Sequence, residues 1–272
     1  MNLSLISIFI SLILLTYFVY KRVNIVFASI VCAGVIAAFS SMNITETMIP
    51  SYLTGFSGFI KTNYLIFAFS ALFGKIMEDT GAANSIARLL CKALGKRYAL
   101  YGAMLATSIL TYGGVSVFVI VFVVYPIFLA VAQESNIPRY LLPGAICAAA
   151  ITYAEAFFPG AAQIHNIIPT TYLGTTTMAG AKVGIIAGLI NLVLLYLYFE
   201  YELKKARKNG INFEHDDKTR ELVKKYEGSV GINGWLALVP IVVLFIVLNI
   251  LKQDVVIAMI SGCVVAVLLF WT

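Results

Sequence analysis

Long apolar stretches, each closed by a short polar or charged interval, set the rhythm of this chain. Leu3 to Tyr20 and Val23 to Ser40 contain no charged residue, and each is about long enough to cross a ~30 Å hydrocarbon core as a helix. The same pattern predicts crossings at about 62–77, 182–200, 235–251 and 254–271, a helical hairpin over 98–133 and a broken crossing over 139–180. The expected fold class is an all-α polytopic membrane protein. The basic pair Lys21-Arg22 follows the first apolar stretch instead of preceding it, which argues against a signal peptide and for an anchor helix that stays.

Two interruptions of the apolar pattern carry the chemistry. Phe157 to Gly180 is a polar run broken by Pro159-Gly160 and Pro169. In lipid every backbone N–H and C=O must be satisfied internally, so a broken helix is tolerated only where protein or a water-filled cavity surrounds it. Such breaks mark binding sites in transporters. Here Gln163 and Asn166 offer amides and Thr170 and Thr171 hydroxyls. Pro169 is expected to stop one helical segment and start another. The second interruption is the hairpin tip, Thr111-Tyr112-Gly113-Gly114-Val115-Ser116, where Gly-Gly permits a tight reversal or a break. If that break lies at mid-depth, the helix from Val115 presents a positive dipole end to a carboxylate, and Ser116 adds a donor. Such neutral groups and dipoles can bind a polyhydroxylated or carboxylated small molecule, and because neither break contains Lys or Arg an anion would be held without a formal counter-charge.

Glu155 is the only carboxylate in the body of an apolar crossing. Burying it charged at a helix centre costs about 2.5–3.5 kcal/mol on insertion scales, which makes it a candidate proton carrier. The competing expectation is a neutral acid hydrogen-bonded to a neighbour such as Thr152. His165 is a second proton-coupling candidate, against the plainer role of a hydrogen-bonding residue in a polar break.

Composition narrows the class further. The chain is 61% hydrophobic and 12% charged, well below the roughly one-quarter charged content of soluble domains. Its net charge of +6 reads as membrane orientation and not as a nucleic-acid surface. With the N-terminus outside, inner loops hold Lys21, Arg22, Lys75, Arg88, Lys92, Lys96, Arg97, Arg139 and the eight basic residues from Lys204 to Lys225. Only Lys61, Lys182 and Lys252 of 19 Lys and Arg then face outward, as the positive-inside rule expects. Cys32, Cys91, Cys147 and Cys263 are scattered singly, without metal or disulfide spacing. No cofactor is expected. Neither H-E-x-x-H nor G-x-S-x-G occurs and His165 and His215 are the only histidines, so an enzyme is not indicated.

Three inner-side segments read as structural. Ala82 to Gly95 places Ile86, Leu89, Leu90, Ala93 and Leu94 on one face and Arg88, Lys92 and Lys96 on the other, the pattern of an interfacial helix. Glu78-Asp79, just before Thr80-Gly81, are expected to cap and charge a helix N-terminus. Glu200 to Gly234 reads as a solvated linker.

Three runs together resemble the gluconate:proton symporter (GntP) family: F-G-K-I-M-E-D-T-G-A-A from Phe73, T-Y-G-G-V-S-V-F from Thr111, and F-P-G-A-A-Q-I-H-N-I-I-P-T-T-Y-L-G-T from Phe158. The resemblance implies an inverted-repeat fold, with scaffold helices, a re-entrant hairpin and a broken helix in each repeat, dimeric and moving its substrate by an elevator motion. It implies a small hydroxycarboxylate such as gluconate taken up with protons across the cytoplasmic membrane. Where the family pattern is expected to read P-G-T-P-Q-x-Q-N, this chain has Pro159-Gly160-Ala161-Ala162-Gln163-Ile164-His165-Asn166. A weaker echo links N-I-V-F-A-S-I from Asn24 with D-V-V-I-A-M-I from Asp254, which implies that the second repeat begins near 235 and that the sequence is truncated.

The expected organisation is scaffold helices over 1–77, an arm helix over 78–97 and a transport core over 98–200. A cytoplasmic linker over 201–234 and the first two helices of a second repeat over 235–272 follow. Tyr112, Gly113, Gly114, Val115, Ser116, Pro159, Gly160, Gln163, Asn166 and Thr170 are the expected substrate-binding residues, with Glu155 and His165 for proton coupling. The expected partners are a small organic anion, the lipid bilayer and a second copy, or a chain supplying the other half-repeat. Two alternatives stay open: a sodium-coupled citrate or dicarboxylate carrier, and a non-transporting membrane subunit or fragment.

Overall fold

The computed structural model describes residues 3–40, 43–115, 117–214, 221 and 232–270. Every regular element among them is helical. Ser116, His215 and, of the expected linker, residues 216–220 and 222–231 lie outside the described residues. The chain divides into two compact units, Met1–Tyr64 and Leu65–Thr272.

In the first unit, α1 (Leu3–Tyr20) and α2 (Ile25–Phe39) form an antiparallel pair. Small residues on the facing sides, with Ser7, Ser11, Ala28 and Cys32 buried, let the helices approach closely. Ser11 Oγ donates to the Cys32 carbonyl at 3.1 Å, so the buried hydroxyl is satisfied. The turn between them puts Arg22 at φ 59°, and Asn24 caps α2 by accepting from the Val26 N–H at 2.9 Å.

Helix α3 (Ile49–Asp79) has 31 residues, about 46 Å at 1.5 Å per residue. It starts well before the crossing expected from 62. Pro50 sits in its first turn, where a missing N–H costs no helical bond. Glu78 and Asp79 do not cap an N-terminus. They close α3, and Lys75 Nζ reaches Asp79 at 2.7 Å and Glu78 at 3.4 Å. The N-cap of the next helix, α4 (Ala82–Leu94), is Gly81 at φ 72° with no side-chain cap. A lysine one turn back thus offsets the acids at the unfavourable dipole end.

The second unit is built around α4, α5 (Ala99–Tyr112), α6 (Val117–Ser135) and α7 (Leu141–Ile151). Ile86, Leu110, Phe128 and Leu142 are fully buried between them. A Cβ on Gly102 would stand 2.9 Å from the Cys91 Cα, so α4 and α5 pack backbone to backbone. The amphipathic arm therefore covers protein with part of its apolar face, while Ala93 and Leu94 stay exposed.

Helix α9 runs from Ala181 to Lys208, beyond the boundary expected at 200. Glu202 and Lys205 pair at 3.6 Å, and basic residues in the last turn complement the dipole. Only Gly188, Phe199, Leu203 and Ala206 of its 28 residues are buried, while Val183 is 73% and Ile186 60% exposed. A continuous apolar face of this size is untenable in water and is solvated by acyl chains in a bilayer.

Glycine on α9 sets its distance from the break. A Cβ on Gly184 would fall on the Phe157 carbonyl, and one on Gly188 would come within 2.6 Å of the Phe158 ring. Gly184→Ala is expected to lower stability by about 1–3 kcal/mol, the range for overpacking against atoms that cannot move aside. Thermal unfolding in detergent, followed by size-exclusion recovery, checks it against Gly34→Ala, where no atom lies within 4 Å.

The chain then forms α10 (Gly234–Ala237), α11 (Val239–Phe245), a π-helical turn Ile246–Ile250 and α12 (Val255–Phe270).

Candidate substrate site at two joined breaks

The first break is the end of α5. Gly114 stands at φ 89°, a conformation glycine adopts without a Cβ penalty, and the N–H groups of Gly114 and Val115 turn back to the carbonyls of Thr111 and Leu110. Ser70 Oγ donates to the Gly114 carbonyl. A Cβ on Gly114 would lie 2.6 Å from Met259 Cε and 3.1 Å from the Ala162 carbonyl. The bare backbone is what lets the second break approach.

The second break begins where α7 ends. A π-helical turn, Tyr153–Phe157, carries Glu155. Phe158 is extended, Gly160 has φ 79°, and α8 (Ile164–Leu173) follows. Pro169 lies inside α8 and neither ends nor starts it. Lacking an N–H, Pro169 leaves the His165 carbonyl without its helical partner.

The two breaks satisfy each other. The Ala162 N–H donates to the Tyr112 carbonyl at 3.3 Å, and the Tyr112 hydroxyl donates to the Pro159 carbonyl at 2.6 Å. Gln163 Nε2 donates to the carbonyls of Thr111, at 2.5 Å, and Val115, at 3.1 Å. The Thr111 carbonyl already accepts from the Gly114 N–H, so the Gln163 amide fills its second lone pair and also serves the Val115 carbonyl, a role that water would take elsewhere.

Of the expected site residues, Tyr112, Gly113, Gly114, Val115, Pro159, Gly160 and Gln163 come together at this junction. Ser116 is outside the described residues. Gln163 is buried, with its donor turned into the junction. Asn166 Nδ2 donates to the Phe158 carbonyl at 3.0 Å, and Thr170 Oγ1 to the Ile167 carbonyl at 2.7 Å. Asn166 and Thr170 are partly buried, and His165 is exposed.

Glu155 is buried and its Oε1 lies 2.9 Å from His165 Nδ1. The neighbour suggested by sequence is otherwise engaged: Thr152 Oγ1 donates to the Ala148 carbonyl. The wide π-turn sets the carboxylate toward α8, so the two proton-coupling candidates form one unit. His165 is 56% exposed against 7% for Glu155, which makes the imidazole the outward member.

Asn249, which sequence reasoning missed, also reaches this region. Its Nδ2 donates to the Gly160 carbonyl at 2.9 Å, and its Oδ1 accepts from Thr177 Oγ1 at 3.0 Å. An amide in the body of an apolar helix was the available signal. Beside the junction lies a cavity of about 450 Å³, lined by Tyr112, Tyr153, Phe158, Pro159, Ile241 and Phe245 among others. Its lining contains no charged group. Among the described residues no three His, Cys, Asp or Glu side chains converge as for a metal ion.

The family model of the GntP family permeases matches residues 1–269. The chain belongs to the GntP permease family. The chain is 35% identical to an uncharacterised transporter, YxjC, of Bacillus subtilis strain 168, over 76% of its own length and 44% of the relative's. It is 30% identical to a high-affinity gluconate transporter of Escherichia coli K12 over 51% of this chain and 30% of that one. A gluconate permease of Pseudomonas aeruginosa is 27% identical over 54% and 30% respectively. The chain spans about half, or less, of the length of the curated relatives it matches. No solved structure matches it. Family and helical architecture together mark the chain as an integral membrane protein.

Proposed function

We propose that this permease moves gluconate or a related small hydroxycarboxylate across the cytoplasmic membrane together with protons, and that the joined breaks form one wall of the substrate path. The observation that carries the reading is the Glu155–His165 pair at 2.9 Å beside the joined breaks. Relatives named for gluconate supply the substrate class.

The pair offers a coupling device. A substrate carboxylate and ionised Glu155 compete for one imidazolium, and protonation of Glu155 frees His165 for the substrate. The first N–H groups of α8 add a favourable dipole for the same anion. Weak binding of this kind suits a site that must also release.

Two local coincidences support an inverted repeat. Asp254 Oδ1 accepts from the Val256 N–H at 2.7 Å, as Asn24 does from Val26. Two residues before each cap stands a basic residue in the left-handed region, Arg22 at φ 59° and Lys252 at φ 53°. In this reading α5 and α6 are a re-entrant hairpin, the N-terminus is outside and the segment around 201–234 is cytoplasmic. The facing wall of the path is assigned to a counterpart segment, from further sequence such as the longer relatives carry or from a second copy.

The test is uptake of labelled gluconate into proteoliposomes under an inward proton gradient, beside an inward sodium gradient. Accumulation with the proton gradient alone is expected. Asn166→Ala, which unties α8 from the Phe158 carbonyl, is expected to reduce uptake about five- to tenfold, the equivalent of one lost hydrogen bond. Accumulation driven only by sodium would overturn the coupling ion. Absence of uptake across a panel of hydroxycarboxylates, also when a counterpart segment is co-expressed, would overturn the reading.

A further inference from the structure

We propose that Asn249 is a positioning residue for the broken helix: it holds the Pro159–Gly160 break in shape from a helix to which the break does not belong. At Gly160 the backbone has left the helix, so both of its polar groups need partners. The N–H donates to the Thr177 carbonyl at 2.8 Å, and the carbonyl accepts from Asn249 Nδ2 at 2.9 Å. Asn249 Oδ1 then accepts from Thr177 Oγ1 at 3.0 Å, closing a ring of hydrogen bonds through Gly160, Thr177 and Asn249.

The fit is specific. A Cβ on Gly160 would stand 2.9 Å from Asn249 Oδ1, so the amide occupies the space a side chain at the break would take. Asn249 sits in the π-helical turn Ile246–Ile250, and its Nδ2 also lies 3.3 Å from the Phe245 carbonyl. A shift of α11 and its π-turn would therefore strip the Gly160 carbonyl of its partner and change how Ala161 to Asn166 are presented. This role rests on the reading of the break as the substrate site only for its consequence in transport; the clamp itself is read without substrate.

Hydrogen–deuterium exchange in lipid nanodiscs tests it on the whole chain. Asn249→Leu keeps the side chain's size and removes both polar atoms. It is expected to speed exchange over 158–166 by about tenfold, the yield of losing one to two hydrogen bonds, with α5 and α9 unchanged. Thr177→Val, a milder variant, is expected to give about threefold over the same residues. Unchanged exchange over 158–166 in both variants overturns the proposal, as does acceleration spread evenly over α5 and α9, which would mark a packing role. Gluconate uptake by the same variants is read separately. Accelerated exchange with wild-type uptake supports the clamp and overturns the substrate-site reading; unchanged exchange overturns the clamp whatever uptake shows.

Discussion

Glu155→Gln is expected to abolish gradient-driven accumulation of gluconate while leaving exchange of gluconate across the membrane. The amide is nearly isosteric, so the buried side chain keeps its packing and a hydrogen bond to His165, but it can neither ionise nor carry a proton. What is lost is the charge-assisted part of a 2.9 Å contact. With no proton carried alongside the substrate, accumulation should fall to the level reached without a proton gradient. Proteoliposome uptake with and without a proton gradient, beside counterflow of labelled gluconate, separates the two activities. A variant that still accumulates substrate against its gradient would remove Glu155 from coupling. His165→Gln, which puts back the residue expected in the family pattern, should keep gluconate exchange but lower the affinity for the anion and weaken proton coupling, because the imidazole for which Glu155 and the substrate compete is gone.

Gly160→Ala is the substitution expected to cost most in stability. At φ 79° an alanine carries about 1–2 kcal/mol of left-handed strain. Its Cβ would also stand 2.8 Å from Met178 Sδ and 2.9 Å from Asn249 Oδ1, so it pushes on the amide that satisfies the break's own carbonyl. Strain and displaced hydrogen bond together amount to about 3 kcal/mol. Gly174→Ala provides the control. Gly174 has φ 61° with no atom within 4 Å of the added Cβ, so it should show the backbone strain alone, about 1 kcal/mol. At roughly 2–4 °C per kcal/mol for a chain of this order of size, the expected falls in unfolding midpoint are about 6–12 °C and 2–4 °C. Equal shifts for the two variants would show that the crowding at Gly160 is inconsequential.

Helix ends were legible in different degrees. The breaks at Gly113-Gly114 and Pro159-Gly160 coincide with the ends of helical segments, because a positive-φ glycine and a missing N–H act on their own backbone. Pro169 carries the same signal and lies within α8, because the loss of one bond at the His165 carbonyl is outweighed by the bonds on either side of it. Glu78-Asp79 pointed to a cap since acids favour helix starts, yet helices end as well as start at such positions, and Lys75 was already one turn back.

The sequence by itself determined that this chain is a helical membrane protein of the GntP kind and that its helices break at Gly113-Gly114 and Pro159-Gly160. Run length, charge distribution and Pro-Gly punctuation are properties of consecutive residues, and lipid penalises each locally. Only the tertiary structure decided that Glu155 faces His165, that Gln163 is spent on the Thr111 and Val115 carbonyls, and that Asn249 serves Gly160. A polar side chain in an apolar surrounding must find a partner, but which partner it finds depends on the elements folded against it.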